Sequence, residues 1–246
     1  MEISDKVALI TGASGGIGLA TARLFAEKGA KLALAARSTE KLEQVAAELG
    51  AIGIPTDMRD ERAIRHMISR TQEHYGRIDI LINNAGQGMH VPIEQANLQE
   101  YRSVFELNVV SVIAAMQAVI PVMRLQGGGV IVNVSSGTSK VVLPGVGPYA
   151  STKYALNAIT LTARQELASE NIRVGLVYPG ITATDFHNNL AQRSDEQEGR
   201  NRRSRIMQPD TPEYVAEKIL EAVQTEAAEV YADSVKHMLA SRRGEP

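Results

Sequence analysis

The chain has 246 residues, a hydrophobic fraction of 44% and a formal net charge of -2, which allows one large α/β domain with a sizeable core. The small net charge argues against a general nucleic-acid or membrane-surface partner. Cysteine is absent, which excludes disulfides and thiolate chemistry, and the five histidines lack metal-ligand spacing, so we expect no protein-built metal site. The N-terminal residues do not resemble a signal peptide, so we expect a cytoplasmic protein.

Short aliphatic runs alternate with longer amphipathic segments, which predicts a parallel sheet covered by helices. We find no repeat or domain break, so residues 1–246 are expected to form a single Rossmann-type doubly wound α/β domain with helices on both faces. Two long connections, 87–97 and 184–210, are expected to carry function, with 185–210 as a substrate lid. The predicted strands are Val7 to Ile10, Lys31 to Ala35, Ala51 to Pro55, Ile80 to Asn83, Val130 to Val134, Val174 to Tyr178 and Glu229 to Ala232.

The first predicted strand leads into a glycine-rich turn that is followed by a predicted helix from Leu19 to Lys28. Glycines in such a turn allow a tight bend, close approach of main-chain N–H groups to a pyrophosphate, and close packing of helix on strand. The helix N-terminus adds a partial positive charge. The turn therefore predicts a dinucleotide site with contacts from Gly12, Ser14, Gly16, Ile17 and Gly18.

The second predicted strand ends about twenty residues further on, where the adenine ribose of a dinucleotide lies. An NAD-preferring site would place an acidic side chain here, but this chain has Ala36, Arg37 and Ser38. A guanidinium forms strong charge-assisted hydrogen bonds to phosphate, so these residues favour NADP(H) over NAD(H). The alternative is that Arg37 faces solvent beside Glu40.

The third predicted strand ends at Asp57 and Met58, which we include among the cofactor contacts. Asp57 is expected either to accept a hydrogen bond from the adenine amino group or to cap the helix that begins near Asp60. The residues alone favour neither role.

Three side chains able to handle protons follow the fifth predicted strand. Tyr149 and Lys153 are four residues apart in a predicted helix, so they are neighbours on one face. A cation there favours the tyrosinate, whose phenol has an unperturbed pKa of about 10. The Ser136 hydroxyl could stabilise charge on the same reacting oxygen. This pattern also occurs without function, so other motifs have to decide.

Six motifs occur along the chain: Thr11 to Gly18, Asn84-Ala85-Gly86, Asn108, Ser136, Tyr149-x-x-x-Lys153 and Pro179-Gly180-x-x-x-Thr184. In their order and spacing, the chain resembles the short-chain dehydrogenase/reductase family over nearly its whole length. The resemblance implies hydride transfer between a nicotinamide and a carbonyl carbon, with Tyr149 as the acid/base.

The resemblance also implies individual roles. Lys153 would bind the nicotinamide ribose and lower the pKa of Tyr149, while Ser136 would orient and polarise the substrate carbonyl. Asn108 would hold a water for a proton relay through Lys153. Tyr149 would contact the cofactor as well. Two further stretches would contact the cofactor and its nicotinamide, through Asn84, Ala85, Gly86, Pro179, Gly180, Thr182 and Thr184.

Two features depart from the family pattern. Gly15 stands where many NADP-preferring members carry a basic residue, so the 2′-phosphate would depend on Arg37, assisted by Ser14 and Ser38. A predicted helix replaces the C-terminal glycine-rich stretch of tetrameric members. A homodimer through the helices near 98–125 and 148–169 is therefore expected at least as much as a tetramer. The longest apolar run, Val109 to Met123, is too short for a membrane span and predicts a helix buried on more than one side.

The expected substrate contacts form a mostly apolar cleft: Gln87, Ser136, Val142, Tyr149 and Phe186. His90 and His187 are expected to be exposed loop residues. The arginine-rich segment 200–205 is either a basic contact for an acidic substrate or a solvated loop. We expect NADPH-dependent reduction of a ketone or aldehyde. The alternatives are oxidation by an NAD(P)-dependent alcohol or sugar-type dehydrogenase, and a non-catalytic cofactor-binding regulatory protein.

Overall fold

The centre of the molecule is a sheet of seven parallel strands. The structure, a computed structural model, describes residues 1–193 and 209–243. The strands are β1 (Val7–Thr11), β2 (Lys31–Ala36), β3 (Ile52–Pro55), β4 (Ile80–Asn83), β5 (Gly129–Val134), β6 (Ile172–Tyr178) and β7 (Glu229–Tyr231). Their order is β3-β2-β1-β4-β5-β6-β7. This doubly wound arrangement confirms the predicted fold class.

Helices cover both faces of the sheet. They are α1 (Gly16–Glu27), α2 (Thr39–Leu49), α3 (Glu61–Tyr75), α4 (Leu98–Phe105), α5 (Ser111–Leu125), α6 (Gly147–Glu166), α7 (Pro212–Thr225) and α8 (Asp233–Arg243). Helix α1 begins at Gly16, earlier than the predicted Leu19, so the last glycines of the turn form its first turn.

Two hydrophobic cores lie on opposite faces of the sheet because alternate strand residues point in opposite directions. In β1, Ala8 and Ile10 pack with α1, α2 and α7, whereas Leu9 packs with α3, α5 and α6. All residues of β1, β4 and β5 are buried. Continuous apolar runs are typical of parallel strands that are covered on both sides, which is why the strands could be located from the sequence.

The longest helical stretch runs from Leu98 to Leu125 through α4, a π-helical turn at Glu106–Val110, and α5. Its 28 residues are long and apolar enough to cross a membrane by length and composition, although the apolar run inside it is shorter. Half of its most apolar window is buried within the protein. Val112, Val119 and Met123 pack into the core shared with α3 and α6.

Candidate active site

The glycine turn after β1 has the backbone that a phosphate cradle requires. Gly12 and Gly16 have φ angles of +68° and +54°, a region that favours glycine. A Cβ on Gly18 would collide with the carbonyl oxygen of Gly12 and lie 2.6 Å from Nδ2 of Asn84. Residue 18 therefore has to be glycine for α1 to pack this closely on β1.

Asn84, which directly follows the neighbouring strand β4, supports the glycine turn. Its Nδ2 donates to the carbonyl oxygens of Thr11 at 2.9 Å and Gly12 at 3.3 Å. The hydroxyl of Thr11 accepts from the main-chain N–H groups of Asn84 and Ala85. The side chain of Asn84 thus satisfies carbonyl groups of the turn and helps to hold its shape.

Arg37 and Ser38 are exposed where β2 leads into α2. Ser38 occupies the N-cap of α2 without a side-chain capping bond. Within the described part of the chain Arg37 makes no ion pair, so Glu40 is not its partner. Both side chains are free to meet an anionic group at this edge.

The contacts after β3 show which of the two roles considered for Asp57 is possible. Asp60 is the cap of α3, since its carboxylate accepts from the N–H of Arg62 at 2.8 Å. Asp57 is exposed and accepts from the N–H of Arg59 at 3.0 Å, so it orders the turn that lies between Asp57 and α3. The side chain of Met58 is buried in the core with α3, so a cofactor contact from Met58 would have to use its main chain.

Tyr149 and Lys153 are both buried on α6, with exposures of 6% and 5%. The Nζ of Lys153 lies 5.9 Å from the centroid of the Tyr149 ring. It donates to the carbonyl oxygen of Val134 at 2.9 Å, where β5 ends. This bond ties the helix to the sheet at the point where the chain continues to Ser136.

Burial determines the pKa values of both groups in the protein alone. It raises the pKa of Tyr149 to about 12, because the hydrogen bond from Ser136 offsets only part of the desolvation. It lowers the pKa of Lys153 to about 8. The sequence led us to expect a lowered pKa for Tyr149 beside a cation, and the structure reverses that direction because desolvation is the largest effect.

Ser136 has an oriented hydroxyl group. Its Oγ accepts from the N–H of Thr138 at 3.2 Å and from Thr138 Oγ1 at 2.9 Å. These two donors leave the hydroxyl hydrogen available to a further acceptor, and Ser136 lowers the pKa of Tyr149.

Asn108 lies in the π-helical turn and is 1% exposed. Its Oδ1 accepts from the N–H of Gln87 at 2.9 Å. Its Nδ2 donates to the carbonyl oxygen of Gln87 at 2.9 Å and to Oγ1 of Thr152 at 3.0 Å. Both amide hydrogens of Asn108 are therefore committed to protein groups, and Oδ1 already accepts one hydrogen bond. A Cβ on Gly86 would lie 3.2 Å from Oδ1 of Asn108 and 3.7 Å from Nζ of Lys153, so the loop after β4 passes beside both residues.

The loop after β6 meets both the glycine turn and the Ser136 loop. The carbonyl oxygen of Pro179 accepts from the N–H of Gly137 at 2.9 Å. Thr184 accepts from the N–H of Phe186 at 3.3 Å, and its methyl group would lie 3.2 Å from a Cβ on Gly16. The predicted nicotinamide and pyrophosphate segments therefore lie side by side.

The chain is similar to known proteins in sequence and in overall fold. A 3alpha-hydroxysteroid dehydrogenase of Mediterraneibacter gnavus is 35% identical over 193 residues, covering 76% of this chain and 77% of that protein. The 3-ketoacyl-(acyl-carrier-protein) reductase from Brucella melitensis, complexed with NADH, has a TM-score of 0.83 at 28% identity and covers 93% of this chain and 97% of its own. A short chain dehydrogenase from Burkholderia cenocepacia J2315 in complex with NADP has a TM-score of 0.82 at 30% identity, with 94% and 97% covered.

The sequence profile of the family described as short chain dehydrogenase matches residues 6–195. The chain belongs to the short-chain dehydrogenase/reductase family. Hydride transfer with a nicotinamide cofactor, between CH–OH and C=O groups, is general in this family, and the protein is an oxidoreductase of this kind.

In this short-chain dehydrogenase, sequence reasoning missed the residues that hold the loop after β6. Asp210 accepts at Oδ2 from the N–H of Gly180 at 3.2 Å and from Oγ of Ser234 at 2.7 Å. Its main chain pairs with Ile181 and Ala183. Asp210 directly precedes the helix cap Thr211, so its local sequence indicates only a helix start. Thr182, predicted to contact the cofactor, is buried beside this pairing.

Two of the expected substrate residues, Tyr149 and Phe186, lie near each other, whereas Val142 and Gln87 lie in different surroundings. The Tyr149 ring lies near two other rings, Phe186 with centroids 5.7 Å apart and His90 with centroids 6.1 Å apart. His90 is half-buried, which corrects the expectation of an exposed loop residue. Val142 is 83% exposed. Both polar atoms of the Gln87 side-chain amide are hydrogen-bonded.

The side chain of Gln87 links three segments rather than ending in open space. Its Oε1 accepts from the Arg59 guanidinium at 2.8 Å, and its Nε2 donates to the carbonyl oxygen of Asn189 at 3.0 Å. Among the described residues, no three His, Asp or Glu side chains converge as a metal site would require. The side chain of His187 and the arginine-rich segment 200–205 lie outside the described residues.

Proposed function

We propose that this protein is an NADP(H)-dependent reductase of ketones or aldehydes. The observation that carries the cofactor preference is Arg37, an exposed guanidinium without a carboxylate partner in the described chain, beside Ala36 where an NAD site would place an acid. The glycine turn, which excludes a Cβ at Gly18, fits a pyrophosphate. Ser38 directly follows Arg37, and Ser14 follows Ala13, whose N–H donates to the carbonyl oxygen of Ala35 at 3.2 Å, so both serines lie at the edge where Arg37 lies. A nicotinamide cofactor supplies or accepts the hydride.

The remaining chemistry belongs to residues of the chain. Tyr149 donates a proton to the carbonyl oxygen, and Ser136 donates a hydrogen bond to the same oxygen and polarises it. Lys153 supplies the proton that restores Tyr149. Because both amide hydrogens of Asn108 are occupied, a water in this relay would bond to an oxygen of Asn108, either Oδ1 or the main-chain carbonyl in the π-helical turn.

In the protein alone, Tyr149 is in the protonated form that carbonyl reduction uses. A Tyr149 whose pKa is about 12 carries its proton at neutral pH and can act as the acid. The oxidative reaction needs the tyrosinate, which burial disfavours. The relative named as a hydroxysteroid dehydrogenase and the neighbour complexed with NADH favour a second candidate, an NAD(P)-dependent alcohol dehydrogenase. A non-catalytic role is disfavoured by the presence of Asn108, Ser136, Tyr149 and Lys153 together.

Cofactor preference is tested by titrating NADPH and NADH against wild type and Arg37→Asp. We expect the variant to bind NADPH roughly 10- to 100-fold more weakly, because it loses a charged hydrogen bond to phosphate and gains repulsion. Lys31→Asp is the matched control, since Lys31 is an exposed cation at the opposite end of β2. Equal or tighter NADH binding by wild type would instead favour NAD-linked oxidation.

Catalysis is tested with Tyr149→Phe. Turnover of a ketone and aldehyde panel should fall at least about 100-fold, as expected for loss of a general acid, with NADPH affinity retained. Unaltered turnover would remove Tyr149 from the mechanism. The neighbouring Tyr154 is exposed on the same helix, so Tyr154→Phe controls for loss of a phenol that does not face the site.

We also propose that the protein is cytoplasmic and forms a single domain. It would act on a small carbonyl compound under a lid at 185–210, of which 194–208 lies outside the described residues.

The protein would form a homo-oligomer through the apolar groove between α5 and α6, which includes Ile113, Ile120 and Ile159. Sedimentation should show that Ile120→Glu dissociates the oligomer. Leu125→Glu, at an 87% exposed position outside the groove, should leave it intact.

A further inference from the structure

Asn157 continues the helix face that carries Tyr149 and Lys153, each four residues from the next. It is 8% exposed, and a buried amide is costly unless its groups are paired. Its Oδ1 accepts from Oγ of Ser135 at 2.6 Å, and its Nδ2 donates to Oγ of Ser139 at 3.0 Å. Both ends of the amide are therefore directed at the loop that follows β5.

Ser139, which accepts from Asn157, is in turn hydrogen-bonded to Ser136. Its Oγ donates to the carbonyl oxygen of Ser136 at 2.7 Å, and its N–H donates to the same oxygen at 3.0 Å. The hydroxyl hydrogen of Ser135 is donated to Asn157, and that of Ser139 is donated to Ser136. The two hydroxyl oxygens lie 3.2 Å apart, but neither has a hydrogen left to donate to the other. Thr138 orients the Ser136 hydroxyl within the loop, whereas Asn157 connects the loop to α6.

We propose that Asn157 is a positioning residue that fixes the Ser136 hydroxyl relative to Tyr149. Because Tyr149 and Asn157 belong to one rigid helix, an amide bonded to the Ser136 loop sets the separation of the two reacting hydroxyls. Misplacement of a catalytic group by about 1 Å can lower a rate about 100-fold. The inference rests on the proposed function of Ser136 as the group that polarises the carbonyl.

A second buried amide provides a matched control. Asn133 of β5 accepts from Nδ2 of Asn83 at 2.8 Å and donates to Oγ1 of Thr160, on the same helix α6, at 2.9 Å. Asn133 is fully buried, and none of these hydrogen bonds reaches the Ser136 loop. Asn133→Leu therefore removes a comparable set of hydrogen bonds, including the one to α6, and leaves the hydrogen bonds of the Ser136 loop in place.

The test compares Asn157→Leu, Ser139→Ala and Asn133→Leu with wild type, using NADPH and para-nitrobenzaldehyde as the probe. We expect Asn157→Leu to lower kcat roughly 10- to 100-fold, with NADPH affinity within about twofold of wild type. The Asn157→Leu/Ser139→Ala double variant should be no slower than Asn157→Leu, because both changes break one connection. Asn133→Leu should lower thermal stability with kcat within about threefold of wild type.

Two further measurements separate failure of this inference from failure of the proposed function. If Ser136→Ala turns the probe over at the wild-type rate, or wild type does not turn it over, the proposed function is at fault. Hydrogen exchange of the peptide spanning 135–140 then decides the inference without a substrate, and faster exchange in Asn157→Leu but not Asn133→Leu supports it. Unchanged exchange overturns the positioning role, as does a reduced kcat in Ser136→Ala with an unchanged kcat in Asn157→Leu.

Discussion

The Nζ of Lys153 donates a 2.9 Å hydrogen bond to the carbonyl oxygen of Val134, which holds a lysine amine inside the protein. This position is unfavourable for a charged group, and burial lowers the pKa of Lys153 from 10.5 to about 8. The same position places the amine beside Tyr149. Lys153 is therefore a residue whose placement suits proton transfer and opposes stability.

The first prediction concerns stability and pH. The pKa of Lys153 is about 8 in the folded protein and 10.5 in the unfolded chain. The free energy of unfolding is therefore highest above pH 10.5, decreases as the pH falls from 10.5 to about 8, and stays low below that. Relative to Lys153→Met, wild type should therefore have a free energy of unfolding lower at pH 7 than at pH 10 by roughly 2 kcal/mol. Urea unfolding of both proteins at each pH measures this difference. An equal difference at the two pH values would mean that the lysine is not desolvated when folded.

The second prediction concerns rate and pH. Tyr149 keeps its proton until pH approaches 12, whereas Lys153 loses its proton near 8. For carbonyl reduction, kcat/KM should be constant near neutral pH and fall above about pH 8, as the group that restores Tyr149 deprotonates. Steady-state kinetics across pH 6 to 10 measures this fall. Arginine does not titrate in this range, so residual activity of Lys153→Arg should show no such fall. A fall that persists in that variant would assign it to another group.

The third prediction concerns the packing of α1 against β1. In Gly18→Ala the new Cβ would meet the Gly12 carbonyl oxygen and Nδ2 of Asn84, so we expect a loss of about 3 kcal/mol in the free energy of unfolding. Gly15→Ala is the control, because no heavy atom lies within 4 Å of a Cβ there and the backbone is extended. It should change stability by less than about 0.5 kcal/mol. Urea unfolding and NADPH titration of both variants provide the comparison, and equal stabilities would contradict the packing described.

The fourth prediction concerns the link between the end of β3 and the loop after β4. Arg59 donates to Oε1 of Gln87 at 2.8 Å and to Oγ of Ser103 at 3.1 Å. Arg59→Ala should lower the free energy of unfolding by roughly 1 to 2 kcal/mol, because these charged hydrogen bonds are partly exposed. The exposed neighbour Arg62 provides the control variant Arg62→Ala.

A double-mutant cycle separates this link from other effects of Arg59. If Arg59 and Gln87 act as a pair, the losses in Arg59→Ala and Gln87→Ala should be less than additive in the double variant, as judged by urea unfolding. Strict additivity would show that the hydrogen bond contributes nothing to stability.

The sequence by itself determined the sheet and the order of the site residues. Parallel strands covered on both sides are continuous apolar runs, so their positions could be predicted, and only ends moved, as at β6, which begins at Ile172 rather than Val174. Tyr149 and Lys153 were recognisable because helical spacing and family motifs are local properties. Asn157 shares their spacing of four, a signal that was present but not used.

Only the tertiary structure decided what those residues touch. Gln87 is held by Arg59 and Asn189, and the loop after β6 is held by Asp210 and Ser234, through contacts between segments far apart in sequence. The direction of the Tyr149 pKa likewise depends on burial. Burial is produced by distant segments packing around the phenol, so local spacing could place the tyrosine beside the lysine but could not set its proton affinity.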